Sequence, residues 1–379
     1  MAWNWQQEGW PRFTWDPHRL QHAEALFIEN AGVLIGVSRH LGEADRNALR
    51  IELMGDEAVD TSAIEGEPLN RDSVQASIQR HLGLASDHRR VSPAEAGIAE
   101  LMVDLYGQAA ASLTEATLFQ WHRWIVSGRT DLADVGRYRT HASPMQIISG
   151  PLRAPKVHFE APPSASVASE MQLFWAWLAL TAPRGAGALP AVTRAGVAHL
   201  WFECVHPFED GNGRIGRAIS EKILAQGLAS PAVTGMATTL LIHRKAYYAE
   251  LERAHRELEI TDWLLWFAAR TLEAQQRTLR QVEFILEKAR LMGRLRGHLN
   301  TRQEEAILRL FAAGPEGFLG GLSAANYMTI TGAPSATATR DLAALVGLGA
   351  LVRTGALKAT RYHLATGTPA ASPSVSDFP

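Results

Sequence analysis

Across 379 residues there is one cysteine, Cys204, so an internal disulfide framework is excluded and the chain suits a reducing compartment. Its place in an apolar stretch reads as a small buried hydrophobe rather than a reactive thiol. Lysine is nearly as scarce, at five of 37 basic residues, so the abundance of arginine is compositional and a lone arginine means little. Neither sign of charge is in excess: the net charge is −2, which argues against a chain-wide nucleic-acid coat though not against a local basic face. The longest uncharged apolar run, residues 171–183, is too short to cross a bilayer. The opening Met1-Ala2-Trp3-Asn4-Trp5-Gln6 has no basic n-region or apolar core, so no secretory signal is read, no membrane role is expected and a cytoplasmic location is. Metal-ligand spacing is missing too. His199, Cys204 and His206 stand five and then two residues apart on one apolar stretch, which fits no common zinc site, and His122 has no second ligand near it.

An apolar content of 46% and a charged content of 20% are those of an ordinary globular chain, long enough for two or three domains. The informative stretch runs from His206 to Arg217, His-Pro-Phe-Glu-Asp-Gly-Asn-Gly-Arg-Ile-Gly-Arg, between an apolar helical run (197–205) and a second helix expected over 218–226. Gly211, Asn212 and Gly213 tolerate positive φ, so their N–H groups can converge on one point beside a helix N-terminus, where an anion is favoured. Arg214 and Arg217, three apart, present two guanidinium forks on one helical face. Asp210 is a hard oxygen ligand suited to Mg²⁺, which binds phosphates through one or two carboxylates. His206 is the side chain able to take a proton near neutral pH. The residues by themselves point to a polyphosphate site with a base beside it.

This run is similar to the Fic signature, His-x-Phe-x-Asp/Glu-Gly-Asn-Gly-Arg-x-x-Arg, at every defined position. The resemblance implies transfer of AMP from ATP to a hydroxyl of a target protein or of the chain itself. It makes His206 the base and Asp210 the Mg²⁺ ligand. Gly211, Asn212, Gly213 and Arg214 would cradle the α- and β-phosphates, and Arg217 the γ-phosphate. That the α-phosphorus is attacked comes from the resemblance alone. A second motif, Thr61-x-x-x-Glu65-Gly66, resembles the Fic inhibitory motif of the class whose inhibitory helix is N-terminal, in which the glutamate pairs with the second arginine. The residues lean the same way. Gly66 is a natural helix-ending glycine, and a carboxylate in a last helical turn opposes the dipole and wants a cation, for which Arg217 is the candidate.

The fold expected is mainly α, a Fic-type helical bundle with a β-hairpin flap and a C-terminal winged-helix domain. Residues 1–100 make an aromatic-rich region and inhibitory helix, 101–298 the catalytic core, 299–366 the winged-helix-like domain and 367–379 a disordered tail. Trp3, Trp5, Trp10, Phe13 and Trp15 read as an extended segment packed over the core. Helices are expected over 21–41, 43–64, 68–84, 92–112, 114–126, 170–182, 193–205 and 261–295, with another starting at Arg244. Short strand-like runs at 145–148 and 156–159 predict a hairpin, which by the resemblance is the flap (143–160) that pairs with a target's extended segment. Tyr247 and Tyr248 are candidates for the adenine wall, again by the resemblance, and which faces inward stays open.

Helices at 301–313, 323–331 and 334–348, then strands at 350–353 and 360–364, follow winged-helix order. Six basic against four acidic residues over 300–366 is a thin balance that weighs against DNA and toward protein docking or a homodimer. Two alternatives share the chain: a de-AMPylating hydrolase that uses the same site, and a DNA-binding regulator that senses nucleotide.

Overall fold

The computed structural model describes residues 2–39, 41–84, 89–151, 153, 155–228, 234–314 and 320–365. The expected tail at 367–379, and Leu152 and Ala154 in the flap connection, lie outside them. The fold is mainly helical, in two units: residues 1–36 with 47–278, and residues 37–46 with 279 onward.

In the first unit, α1 (Gln21–Ser38) and α2 (Glu43–Ile64) are followed by α3 (Arg71–His81), α4 (Pro93–Gly107) and α5 (Glu115–Ile125). Their starts are fixed by local chemistry. Asn70, Ser92 and Thr114 each accept a backbone N–H three residues on, and Glu95 returns the bond to Ser92 with Pro93 in the first turn. These caps are why α3 and α4 begin later than apolar spacing predicts; both also end earlier, at His81 and Gly107. Next come the hairpin β1 (Gln146–Ser149) and β2 (Lys156–Glu160), α6 (Ser164–Leu180), α7 (Ala191–Val205) and α8 (Asn212–Gly227). β1 and β2 are antiparallel, and the register slips at Ile147/Ile148, where Phe159 and Val157 are the successive partners and His158 is the extra residue.

The core is built on α7, buried from Val192 to Val205, packed along α8. Glu24 of α1 accepts the N–H groups of Val192 and Thr193, and so holds the start of α7. α9 (Met236–Ile242), not foreseen from the sequence, has its first turn held by two buried carboxyls. Glu57 of α2 accepts from Ala237, and Glu221 of α8 from Met236. α10 (Arg244–Ala254) and the start of α11 (Thr261–Leu295) close this unit, with Trp263, Leu264 and Phe267 buried. The aromatic N-terminal segment packs. Trp3 sits edge-on to Phe159, Trp5 Nε1 donates to the Glu160 carbonyl, and Thr14 exchanges backbone bonds with Leu258 and Ile260. Cys204 is buried and its sulfur accepts from Asn4 Nδ2 at 3.1 Å.

The second unit carries α12 (Thr301–Phe311), α13 (Ala324–Thr331) and α14 (Ser335–Gly347), then the antiparallel β3 (Leu351–Thr354) and β4 (Arg361–Leu364). Its core gathers Ile307, Leu310, Tyr327, Leu342, Leu345 and Leu351. Among the described residues, no helix is long and apolar enough to cross a membrane.

Candidate active site

The helix expected to begin at 218 begins at Asn212 instead, inside the glycine turn. Of the three residues expected to supply positive φ, only Gly211 does so, at +83°. Asn212 and Gly213 are already helical, and the other left-handed residue is His206, at φ 49°. The anion-binding element is therefore the first turn of α8 itself, whose leading N–H groups have no helical acceptor. Gly211 must be glycine on two counts: its φ, and a Cβ there would lie 2.6 Å from Ile125 Cδ1. Asn212 stitches the turn shut. Its amide accepts from Phe208 N at 2.9 Å and donates to Phe208 O at 2.8 Å. Phe208 is buried against Phe119 and Phe202, with the His122 ring stacked on it at 4.1 Å. His122 is thus a packed residue, and its Nδ1 accepts from Gly136 N.

His206 ends α7, its N–H donating to Phe202 O. The ring Nδ1 faces the Glu203 carbonyl at 3.4 Å and the Glu203 carboxyl at 3.8 Å, which favours the tautomer with its proton on this edge and its lone pair on Nε2. Burial, and then the Arg139 charge, lower the His206 pKa to about 4, which keeps the imidazole neutral. Glu203, buried beneath it, is pushed up to about 8 by burial and then by Glu65, and its Oε1 has no hydrogen-bond partner among the described residues.

Asp210 lies on the rim. Its Oδ1 accepts from Gly211 N, its Oδ2 takes Arg129 Nη1 at 2.5 Å, and Arg214 stands 3.7 Å off. Its pKa is lowered: Arg214 and these hydrogen bonds overcome the opposing desolvation. Among the described residues, no group of three His, Cys, Asp or Glu could enclose a metal ion. A partly exposed, ionised single carboxylate fits Mg²⁺ that takes its other ligands from phosphate and water. Arg129 now holds the oxygen such an ion would share.

Both signature arginines are buried and both meet the end of α2. Arg217 donates to Glu65 Oε1 at 2.7 Å, to Thr61 Oγ1 at 2.7 Å and to Thr61 O at 2.8 Å. Arg214 Nη1 donates to Glu67 at 2.5 Å. Arg214 Nε and Arg217 Nη1 find no hydrogen-bond partner among the described residues, which leaves donor capacity for a phosphate. The carboxylate of Glu65 lies directly over Gly213, where an added Cβ would fall 2.2 Å from its Oε1. A carboxylate thus occupies the space above the α8 N-terminus.

The pocket has a volume of about 700 Å³ and takes in Glu65, His206, Asp210, Gly211–Gly213, the hairpin residues Met145, Ile147, Ile148 and Ser149, and both tyrosines. Tyr247 is buried, its hydroxyl bonded to His199 Nε2 at 2.8 Å. Tyr248 is partly exposed, and its hydroxyl donates to Ile64 O at 3.2 Å. Tyr248 is therefore the freer wall, and it touches the end of α2. Glu67, Arg129, Arg139 and Glu203 escaped the sequence reading. Glu67 follows Gly66 and Glu203 precedes Cys204, and that adjacency to singled-out positions is their only sequence signal.

Residues 112–224 match the Fic/DOC family and residues 3–84 match a domain of unknown function, DUF4172. A solved Fic family protein from Desulfovibrio desulfuricans G20 aligns at a TM-score of 0.53 and 23% identity, covering 95% of this chain and 99% of that one; the fold is a Fic fold. A protein adenylyltransferase of Caenorhabditis elegans, fic-1, is 25% identical over 199 residues, or 52% of this chain and 35% of that protein. A probable protein adenylyltransferase of Aquifex aeolicus is 29% identical over 96 residues, 25% of this chain and 26% of that protein. Residues 112–224 thus match the Fic/DOC family, the chain is similar at low identity to adenylyltransferases, and it spans only about a third of the length of the worm relative it matches.

Proposed function

We propose that the chain is a protein adenylyltransferase that moves AMP from ATP to a hydroxyl of a target protein or of itself, held in check by Glu65. One juxtaposition carries the reading. A neutral imidazole, a helix N-terminus and two buried arginines share one pocket, and a carboxylate of the chain's own sits on the anion position. The hydroxyl oxygen bonds to the α-phosphorus, the bond from that phosphorus to pyrophosphate breaks, and the hydroxyl proton passes to His206 Nε2. The first turn of α8 and Arg214 offset the charge that develops, the kind of preorganised electrostatic contribution that is usually the largest. Mg²⁺ held at Asp210 supplies Lewis-acid polarisation of phosphate oxygens when bound.

While Glu65 pairs with Arg217, a triphosphate has no clear seat for its terminal phosphate. The free edge of β1 offers a target's extended segment main-chain pairing with little side-chain selectivity. The three helices and hairpin of the second unit read as a winged-helix-like docking module. Salt-sensitive binding of the full chain to a defined DNA site in a gel shift would reassign that module as a DNA reader.

The test is label transfer in the Glu65→Gly protein. Label from the α-phosphate of ATP should enter protein and label from the γ-phosphate should not. Equal labelling by wild type and variant under excess ATP would end the autoinhibition reading. The half-exposed Glu65 carboxylate, inside the same pocket, also favours the reverse reaction, in which it orients a water that hydrolyses AMP from a modified protein. Release of AMP from a modified substrate, lost in Glu65→Gly, identifies that direction.

A further inference from the structure

We propose that Arg139 is a positioning residue for His206: by binding the main chain where α7 ends, it holds the left-handed turn that aims the imidazole into the pocket. The inference rests on the reading of His206 as the base.

Arg139 is one of the largest fully buried side chains, 1% exposed. Its Nε donates to His206 O at 2.8 Å. Its Nη2 donates to Pro162 O at 2.6 Å and to Val205 O at 3.3 Å, and its Nη1 to Ser164 Oγ at 2.8 Å. Its own backbone N–H donates to Pro207 O at 2.9 Å. Three consecutive carbonyls, 205 to 207, are thus taken by one residue from a different segment of the chain. No carboxylate is found paired with the guanidinium among the described residues, and burial is the one influence on its charge. A helix C-terminus commonly attracts a cation, but usually one that is left partly in water. Here the charge is fully desolvated and answered only by carbonyl and hydroxyl oxygens, an expensive way merely to end a helix.

What the placement achieves is local. A histidine at φ 49° is strained and persists only where its surroundings over-determine it. With the 205 and 206 carbonyls fixed, Cα and Cβ of His206 are fixed, and the ring has only to settle Nδ1 against Glu203 to leave Nε2 free. The charges that act on the ring are those of Arg139, Glu65 and Asp210; Glu203 acts through its main-chain carbonyl, and His255 lies close enough to feel the ring. Arg139 is the one cation among them, and it helps hold the ring neutral.

The test uses the full chain in the Glu65→Gly background, with Arg139→Lys and Arg139→Met. ATP affinity, kcat for transfer and the ¹⁵N imidazole spectrum of His206 are measured on each. Expected are ATP affinity within about twofold of the parent and kcat down on the order of 100-fold, the scale of a 1 Å misplacement. The parent's single Nδ1–H tautomer should give way to an average of two in both variants. The midpoint of ring protonation should rise in Arg139→Met and hold in Arg139→Lys, which keeps the charge. Should Arg139→Met not fold, Arg139→Lys decides. An unchanged tautomer with kcat within threefold overturns the proposal, and so does an equal loss of ATP affinity and kcat, which would mark a merely structural arginine. If the parent itself transfers no AMP, the functional reading fails, while the spectrum still decides whether Arg139 sets the ring.

Discussion

The turn from His206 to Arg217 and the strap that ends α2 at residues 64–67 meet face to face, and they are held in opposite ways. The turn is buried and its conformation is fixed many times over: Asn212 closes it from within, Arg139 takes its carbonyls, and the N–H groups of Ala133 and Asp134 bind Glu209 from outside. The strap reaches it through two carboxylates with side chains 32% and 39% exposed, on arginines that are 2% and 6% exposed. Removing a piece of the turn damages a preorganised site. Removing a piece of the strap uncovers one, because the arginines keep their other partners or gain a phosphate.

The sharpest way to break this contrast is at the turn. His206→Ala should lower transfer about 10²–10⁴-fold while ATP binding, followed by calorimetry, persists. If ATP binding goes as well, the histidine is structural. On the strap side, Glu65→Gly should raise transfer by about 5–150-fold, the usual range for coupling between two sites. A scintillation count of labelled protein measures it, and a fall in activity would place Glu65 in the machinery rather than over it.

Back in the turn, Asn212→Ala leaves two buried main-chain groups of Phe208 without partners and should cost about 1–3 kcal/mol of stability in urea unfolding. A graded effect comes with pH. Burial lowers His122, His199 and His206 to about 4 and His255 to about 3. The folded state therefore favours neutral rings. Their contribution is complete above the ordinary histidine value near 6.5 and is lost as pH falls toward 4, so the urea midpoint should drop across that window. Glu203, raised to about 8, works the other way: its contribution is complete below the ordinary carboxylate range and lost as pH rises through 8. The smallest effect should be that of Glu67→Gln. A half-exposed partner on Arg214 is worth at most about 1 kcal/mol, or up to roughly fivefold in apparent ATP affinity. No change in a nucleotide titration would leave Glu65 as the sole latch.

The same contrast explains what could be read beforehand. Long helices with apolar faces, such as 43–64 and 261–295, are legible to the residue from their own spacing. α9 was not, since its first turn is satisfied by Glu57 and Glu221 from distant helices, and nothing in its own seven residues announces that. The start of α8 was misjudged because Gly211, Asn212 and Gly213 all permit a turn, and only tertiary closure through Phe208 decides that the helix begins at 212. Likewise the juxtaposition of Glu65 with Arg217 follows two short motifs, whereas Glu67 on Arg214 and Arg139 on the α7 terminus depend on chain crossings that no spacing encodes.

The slipped register in the hairpin bears on which side of it another chain could extend. On the β2 side the surplus His158 breaks the pleat and is tied down by Ser149 and Glu252, so a newcomer there would meet alternating donors and acceptors out of step. β1 carries no surplus residue, and its outer rim keeps an even repeat. Under the proposed docking, a visiting peptide would meet one rim rather than two, and with it one direction of approach.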